Sequence, residues 1–183
     1  ARKKERRNQN RIRNHGRPVQ NSRQVRNRPQ HLEKTIMTTE LKTFLWFNGV
    51  LDEALEFYRE TFTDMQVHSE NRAPDGKIFT ADFSIYGHNF IAMNWPGGPE
   101  FNDAISLSLN VDSQEEVDRL WSAITLEGRE IGCGWCADKF GLVWQVSPKE
   151  MRVWLEHEDE EIRNYANEQL RSMKKIVVAD LHK

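Results

Sequence analysis

The stretch LKTFLWFNGVLDEALEFYRETF, residues 41–62, has a counterpart in DAISLSLNVDSQEEVDRLWSAI, residues 103–124, and the two share one plan of a strand followed by an amphipathic helix. In the first copy Leu51, Ala54, Leu55, Tyr58 and Phe62 recur at the three-and-four spacing of one helix face; in the second Val117, Leu120, Trp121 and Ile124 do the same. Ser113 with Glu116 has the spacing of a capping box, which places the second helix start there.

Around these helices the period changes to two. Ile105, Leu107, Leu109 and Val111 alternate with Ser106, Ser108 and Asn110, and Phe79, Ala81, Phe83 and Ile85 alternate with Thr80, Asp82 and Ser84. Further strands are expected at 42–47, at 89–95 after the turn Tyr86-Gly87-His88, and at 141–147 behind the polar loop Asp138-Lys139. The order reads strand, helix, three strands, twice over, with short glycine-rich strands between 126 and 136.

If each helix covers one face of its sheet, the polar phase is left for a concavity lined by Thr80, Asp82, Ser84, Asn94, Ser106, Ser108, Asn110 and Gln145; the plainer reading is that these side chains face water. Trp46, Phe47, Trp95, Trp135, Phe140 and Trp144 fall at or near strands, where they suit either the core or the walls of a small-molecule pocket. Asp82 is the carboxylate to name as a candidate catalytic base, because it lies on a polar strand face rather than in a helix-surface charge run. Solvated or paired, it has no such role.

Charge is divided unevenly along the chain. Residues 1–31 hold eleven Arg or Lys against Glu5, a net of +10, so the total of -2 leaves -12 for the remaining 152 residues. We expect a disordered basic extension over 1–36, whose composition offers little to bury, and one compact domain over 37–183 with a C-terminal helical segment. The extension reads either as an arm that holds phosphates by charge or as a segment without function, with Met37 as the natural first residue. It lacks aromatic residues to stack on bases, so no specific nucleic acid is expected. No membrane span or secretion signal is legible, and a soluble cytoplasmic protein is expected.

Cys133-Gly134-Trp135-Cys136 is the tightest chemical motif, but it precedes a strand within a hairpin-like stretch rather than opening a helix, so thioredoxin-like chemistry is not expected. No second ligand pair completes a zinc site. Plain reduced cysteines are expected, ahead of a regulatory disulfide or a reactive thiol.

The segments Thr43 to Gly49, Glu53 to Tyr58, Phe101 to Leu107, Glu115 to Trp121, Cys133 to Val146 and Met173 to Ile176 closely resemble the PhnB-like family, which carries a 3-demethylubiquinone-9 3-methyltransferase domain name and sits in the glyoxalase/bleomycin resistance/extradiol dioxygenase, or vicinal oxygen chelate, superfamily. The resemblance implies an α+β fold of paired βαβββ modules, a homodimer and a site in the sheet concavity. It also implies four ligand positions in metal-dependent relatives, which fall here near Thr43, Asn94, Ser108 and Gln145. That set has no carboxylate or imidazole, so no metal and no cofactor are expected. The expected function is metal-independent binding of a small organic molecule, with Trp46, Trp95 and Trp144 as walls and Thr43, Asn94, Ser108 and Gln145 orienting polar atoms. A lyase, isomerase or dioxygenase using a divalent metal is the alternative, a structural dimer without ligand the third. Methyltransferase activity is not expected, since no glycine-rich loop follows the first strand to cradle S-adenosylmethionine.

Overall fold

A computed structural model describes residues 39–183; the expected extension over 1–36 lies outside the described residues. The repeat is realised as two four-stranded sheets of identical order. Sheet A is built from β1 (Thr43–Phe47), β2 (Met65–Arg72), β3 (Ile78–Ile85) and β4 (His88–Asn94) in the order β1-β4-β3-β2. Sheet B uses β5 (Leu107–Val111), β6 (Arg129–Gly132), β7 (Trp135–Ala137) and β8 (Val143–Pro148) in the order β5-β8-β7-β6. In each, the first strand runs parallel to the fourth and forms an edge, because the intervening helix carries the chain across before the three-strand meander returns. This is the paired βαβββ fold that the repeat predicts.

The helices are α1 (Leu51–Thr61) and α2 (Gln114–Thr125), and their predicted apolar faces are buried. Ser113 caps α2 through its hydroxyl, which accepts from the Glu116 amide at 3.2 Å. The Glu116 carboxylate turns instead to Arg119, so the box is closed from one side only.

Both helices belong to a single core shared by the two sheets. Tyr58 of α1 stacks on Phe83 of sheet A at 6.4 Å and meets Trp144 of sheet B edge-on at 5.9 Å, and Phe62 lies 4.8 Å from Trp144. Arg119 of α2 donates to the carbonyl of Thr61 at the end of α1. The helix-facing side of each sheet is therefore the inner side, and the opposite faces look away from the common core. At roughly 1.5–3 kcal/mol per fully buried large apolar side chain, this shared layer supplies most of the cohesion between modules.

β8 begins at Val143, two residues later than the sequence reading places it, and two apolar positions depart from the expected alternation. Ile105 lies ahead of β5 and is exposed, and Phe79 is partly exposed where the β2–β3 register shifts near Arg72. After β8 come α3 (Met151–Leu155), α4 (Glu160–Ser172), capped by Asp159, and a 3₁₀ turn (Val178–Leu181). They carry a second small cluster around Ala166, Ile176 and Leu181. The connecting segment is strapped to the β6–β7 hairpin: the amides of Cys133 and Gly134 donate to the carbonyls of Met173 and Lys174, and Ile176 occupies the space where Gly134 lacks a Cβ. Among the described residues no helix is long and apolar enough to cross a membrane.

Candidate functional site

The outer face of sheet A combines an apolar strip with a hydrogen-bonded polar row. Phe44 and Trp46 on β1 stand opposite Ile91 and Met93 on β4, and Asp82 and Thr80 on β3 continue the same face. Phe44 is 56% exposed, although it sits mid-strand. On the far side Asn71 donates to Thr80 at 3.0 Å and Ser69 to Asp82 at 3.3 Å. A bulge between Val67 and Ser69 inserts His68 into β2 and turns it to this face, where its Nε2 meets the Ser84 hydroxyl at 3.1 Å.

Asp82 lies on the polar face as expected, but half-exposed and ion-paired to Lys42 at 3.1 Å. Lys42 also approaches Glu40 at 3.5 Å. The hydrogen bond to Asp82 holds the Lys42 ammonium above the ordinary lysine value, against a smaller desolvation cost. The Asp82 carboxylate thus accepts from both Lys42 and Ser69.

Trp46 and Trp95 come together. The Trp46 indole N–H donates to the Trp95 carbonyl at 2.7 Å, and the ring packs against Gly98, where a Cβ would approach its atoms to 2.5 Å. Asn48 pins the same turn, accepting from the Gly98 amide at 2.7 Å. The sequence Trp95-Pro96-Gly97-Gly98-Pro99 is thus a rigid turn clamped to the end of β1, with the Trp95 side chain left largely exposed and 6.0 Å from Phe79.

Three predicted ligand-binding residues face elsewhere. Thr43 pairs with Phe90 and Asn94 with Phe47, which places both on the helix-facing side of sheet A. There Thr43 bonds His88, and Asn94 donates to the Ile78 carbonyl while its Oδ1 is buried without a partner among the described residues. Trp144, 1% exposed, belongs to the core and donates its N–H to Asp138 at 3.0 Å. Ser108 and Gln145 are opposite one another on the outer face of sheet B, with Gln145 donating to Ser106 at 2.7 Å. Ala137, Val143 and Ser147 of that face are buried, so its open part is the edge strand β5, where Ser108 and Asn110 border a groove of about 500 Å³ with Tyr86 and Glu116.

The four positions near Thr43, Asn94, Ser108 and Gln145 therefore do not converge within one chain, and they offer no charged oxygen or imidazole. Among the described residues no group of three or more His, Cys, Asp or Glu side chains is placed to hold a metal ion. On sheet A the candidate donors are engaged: His68 by Ser84 and Asp82 by Lys42. This donor set does not fit a divalent cation.

One group escaped the sequence reading. Asp138, expected in a polar loop, is 3% exposed. Its Oδ1 accepts from the amides of Phe140 and Leu142 at 3.0 and 3.1 Å, and its Oδ2 from the Tyr58 hydroxyl and the Trp144 indole, both at 3.0 Å. Burial pushes its pKa up, and the four donors pull the other way. The same burial, reinforced by the Asp138 charge, raises Tyr58 well above the ordinary phenol value. Asp138 is a structural tie between modules, since Tyr58 reaches it from α1.

The cysteines are free. Burial first, then the charges of Asp138 and Glu130, push the Cys136 thiol up to about 12, whereas Cys133 sits half-buried on the left-handed hairpin turn at φ 52°. A disulfide reagent in native buffer is expected to titrate one thiol per chain and to reach the second only after denaturation. Fast reaction of both in the folded protein would contradict this burial.

Two βαβββ modules that share their helices as a core and turn mixed polar and aromatic faces outward define a protein of the glyoxalase/bleomycin resistance type. The chain matches the family described as 3-demethylubiquinone-9 3-methyltransferase over residues 39–147, and it belongs to that PhnB-like family. It is similar to a putative 3-demethylubiquinone-9 3-methyltransferase, PhnB protein, from Bacillus cereus, with 26% identity over 60% of this chain and 99% of that one, and a TM-score of 0.56. A protein from Pseudomonas aeruginosa is 27% identical over 61% of this chain and 98% of its own, with a TM-score of 0.50. A genomically encoded fosfomycin resistance protein from Listeria monocytogenes, 15% identical over 66% of this chain and 99% of its own with a TM-score of 0.51, shares the fold. None of the curated proteins matches.

Proposed function

We propose that this chain binds a small organic molecule, without a metal, on the outer face of sheet A, and that it does so as a homodimer in which a second copy covers that face. The observation that carries the reading is the combination on one sheet surface of Phe44, exposed mid-strand, and Trp46, clamped by Gly98, with the polar row of Asn71, Thr80, Asp82 and His68 beside them. A rigid aromatic platform next to a few fixed hydrogen-bonding groups is how proteins bind flat, partly apolar ligands. Because the outer faces look away from the shared core, one chain presents only one wall, and a partner copy would complete the enclosure. Trp46 and Trp95 are proposed in contact with ligand or at its rim, and Ser108 and Gln145 as polar groups contributed by sheet B of the other copy. Thr43, Asn94 and Trp144 have no direct part.

The methyltransferase in the family name is not adopted. The β1–α1 connection is Asn48-Gly49-Val50, too short and with too few glycines to cradle a nucleoside-bearing cofactor. The test is a thermal-shift screen of small organic molecules on wild-type protein and on Phe44→Ser. A compound that raises the midpoint of the wild type but not of the variant supports the reading. Compounds that stabilise both equally place the site elsewhere.

A further inference from the structure

The charges on the outer face of sheet A narrow the ligand class beyond the binding reading, on which this inference rests. Lys42 is its fixed cation, and it is shared between Asp82 at 3.1 Å and Glu40 at 3.5 Å, with Glu40 further held by Asn89 at 2.9 Å. The remaining polar groups, Ser69, Asn71, Thr80 and Ser84, are uncharged, and the Nε2 of His68 is occupied by Ser84. Two carboxylates thus face one ammonium. An anionic ligand would have to take Lys42 from both of them. The aromatic strip favours the opposite sign, because the faces of Phe44 and Trp46 attract cations. Sheet B supplies no compensating charge on its outer face, where Arg129 is paired with Asp103.

We infer that this face takes a flat organic cation, its ring on Phe44 and Trp46 and its positive charge beside Asp82 and Glu40, and that it excludes flat anions of similar size.

The experiment compares two dyes on the full chain: thioflavin T, a flat cation, and anilinonaphthalene sulfonate, a flat anion, each titrated by its own emission. Only the component lost in Phe44→Ser counts as binding at this face. Phe44 is exposed and outside the core, so that variant is expected to fold, and circular dichroism checks it. The expected result is a Phe44-dependent component for thioflavin T and none for the anion. Asp82→Asn should weaken the cation by about three- to fivefold, the scale of one exposed charge contact. Glu168→Gln, an exposed acid on α4 away from the face, should leave it unchanged, which separates a local contact from the bulk charge of the domain. A Phe44-dependent component for the anion as tight as for the cation would overturn the inference and leave the binding reading standing. So would a cation affinity equally weakened by Glu168→Gln and Asp82→Asn. No Phe44-dependent component for either dye would overturn both.

Discussion

Asp138→Ala is expected to cost about 3–5 kcal/mol of unfolding free energy, the scale on which removing one member of a buried charged network is felt. The substitution takes away the acceptor for four donors at once: the Tyr58 hydroxyl, the Trp144 indole and the amides of Phe140 and Leu142. The Tyr58, Trp144 and Leu142 donors are buried and would be left without a partner. Against a typical domain stability of about 5–15 kcal/mol, that loss brings the protein close to its unfolding threshold. Urea titration should show the midpoint falling with the slope unchanged. Tyr58→Phe removes one donor and leaves the carboxylate three, so it should cost only about 1–2 kcal/mol. Equal effects of the two variants would mean that Asp138 does not organise this cluster.

The pH dependence of Asp138 has a definite sign. Burial raises its folded pKa above the unfolded value, so its contribution favours the folded state most at acid pH, below the unfolded value, and is lost as pH rises through the folded one. Glu116 and Asp118 run the other way: the hydrogen bonds of Arg119 and Lys175 lower their pKa values, and the stabilisation they give above their unfolded values is lost as pH falls through the folded ones. Lowering the pH should therefore remove the contribution of these exposed pairs while leaving that of Asp138 in place.

Gly128→Ala is the second large effect expected. Gly128 follows α2 and leads into β6, and a Cβ there would lie 2.1 Å from the carbonyl oxygen of Ala137 and 2.5 Å from that of Ile124. Both obstacles are backbone, one in β7 and one in the last turn of α2, so neither can swing aside as a side-chain tip would. Relief requires moving the helix end away from the sheet, with Ile124 and Ala137 both fully buried. Overpacking of this kind costs about 1–3 kcal/mol and sometimes more. A fall in the melting midpoint seen by circular dichroism checks it, and an unchanged midpoint would mean that this junction yields freely.

The helices and the repeat were legible because their signals are periodic: one apolar face at Leu51, Ala54, Leu55 and Tyr58, and a hydroxyl cap at Ser113. The phase of β1 was not, since Phe44, Leu45, Trp46 and Phe47 are apolar on both faces and give no alternation by which to place Thr43 or its partner strand residue Asn94. Trp144 misled for a similar reason: β8 is central and largely buried on both faces, so its neighbour Gln145 does not mark one side as open. The role of Asp138 has a local basis. An aspartate whose side chain can accept from amides two and four residues on forms its own turn, and that turn precedes a strand containing Trp144. The aim of His68 depends on a bulge set by pairing with β3, and no local pattern in Val67-His68-Ser69 announces it.

The central claim, a metal-independent ligand site on a face that a second copy covers, is tested most directly by native mass spectrometry of the full chain purified without added metal, followed by denaturing analysis of what is released. The account predicts a metal-free dimer that retains a small organic molecule, with the molecule lost in Phe44→Ser. A dimer carrying one metal ion per site, or a monomer that binds nothing, would contradict it.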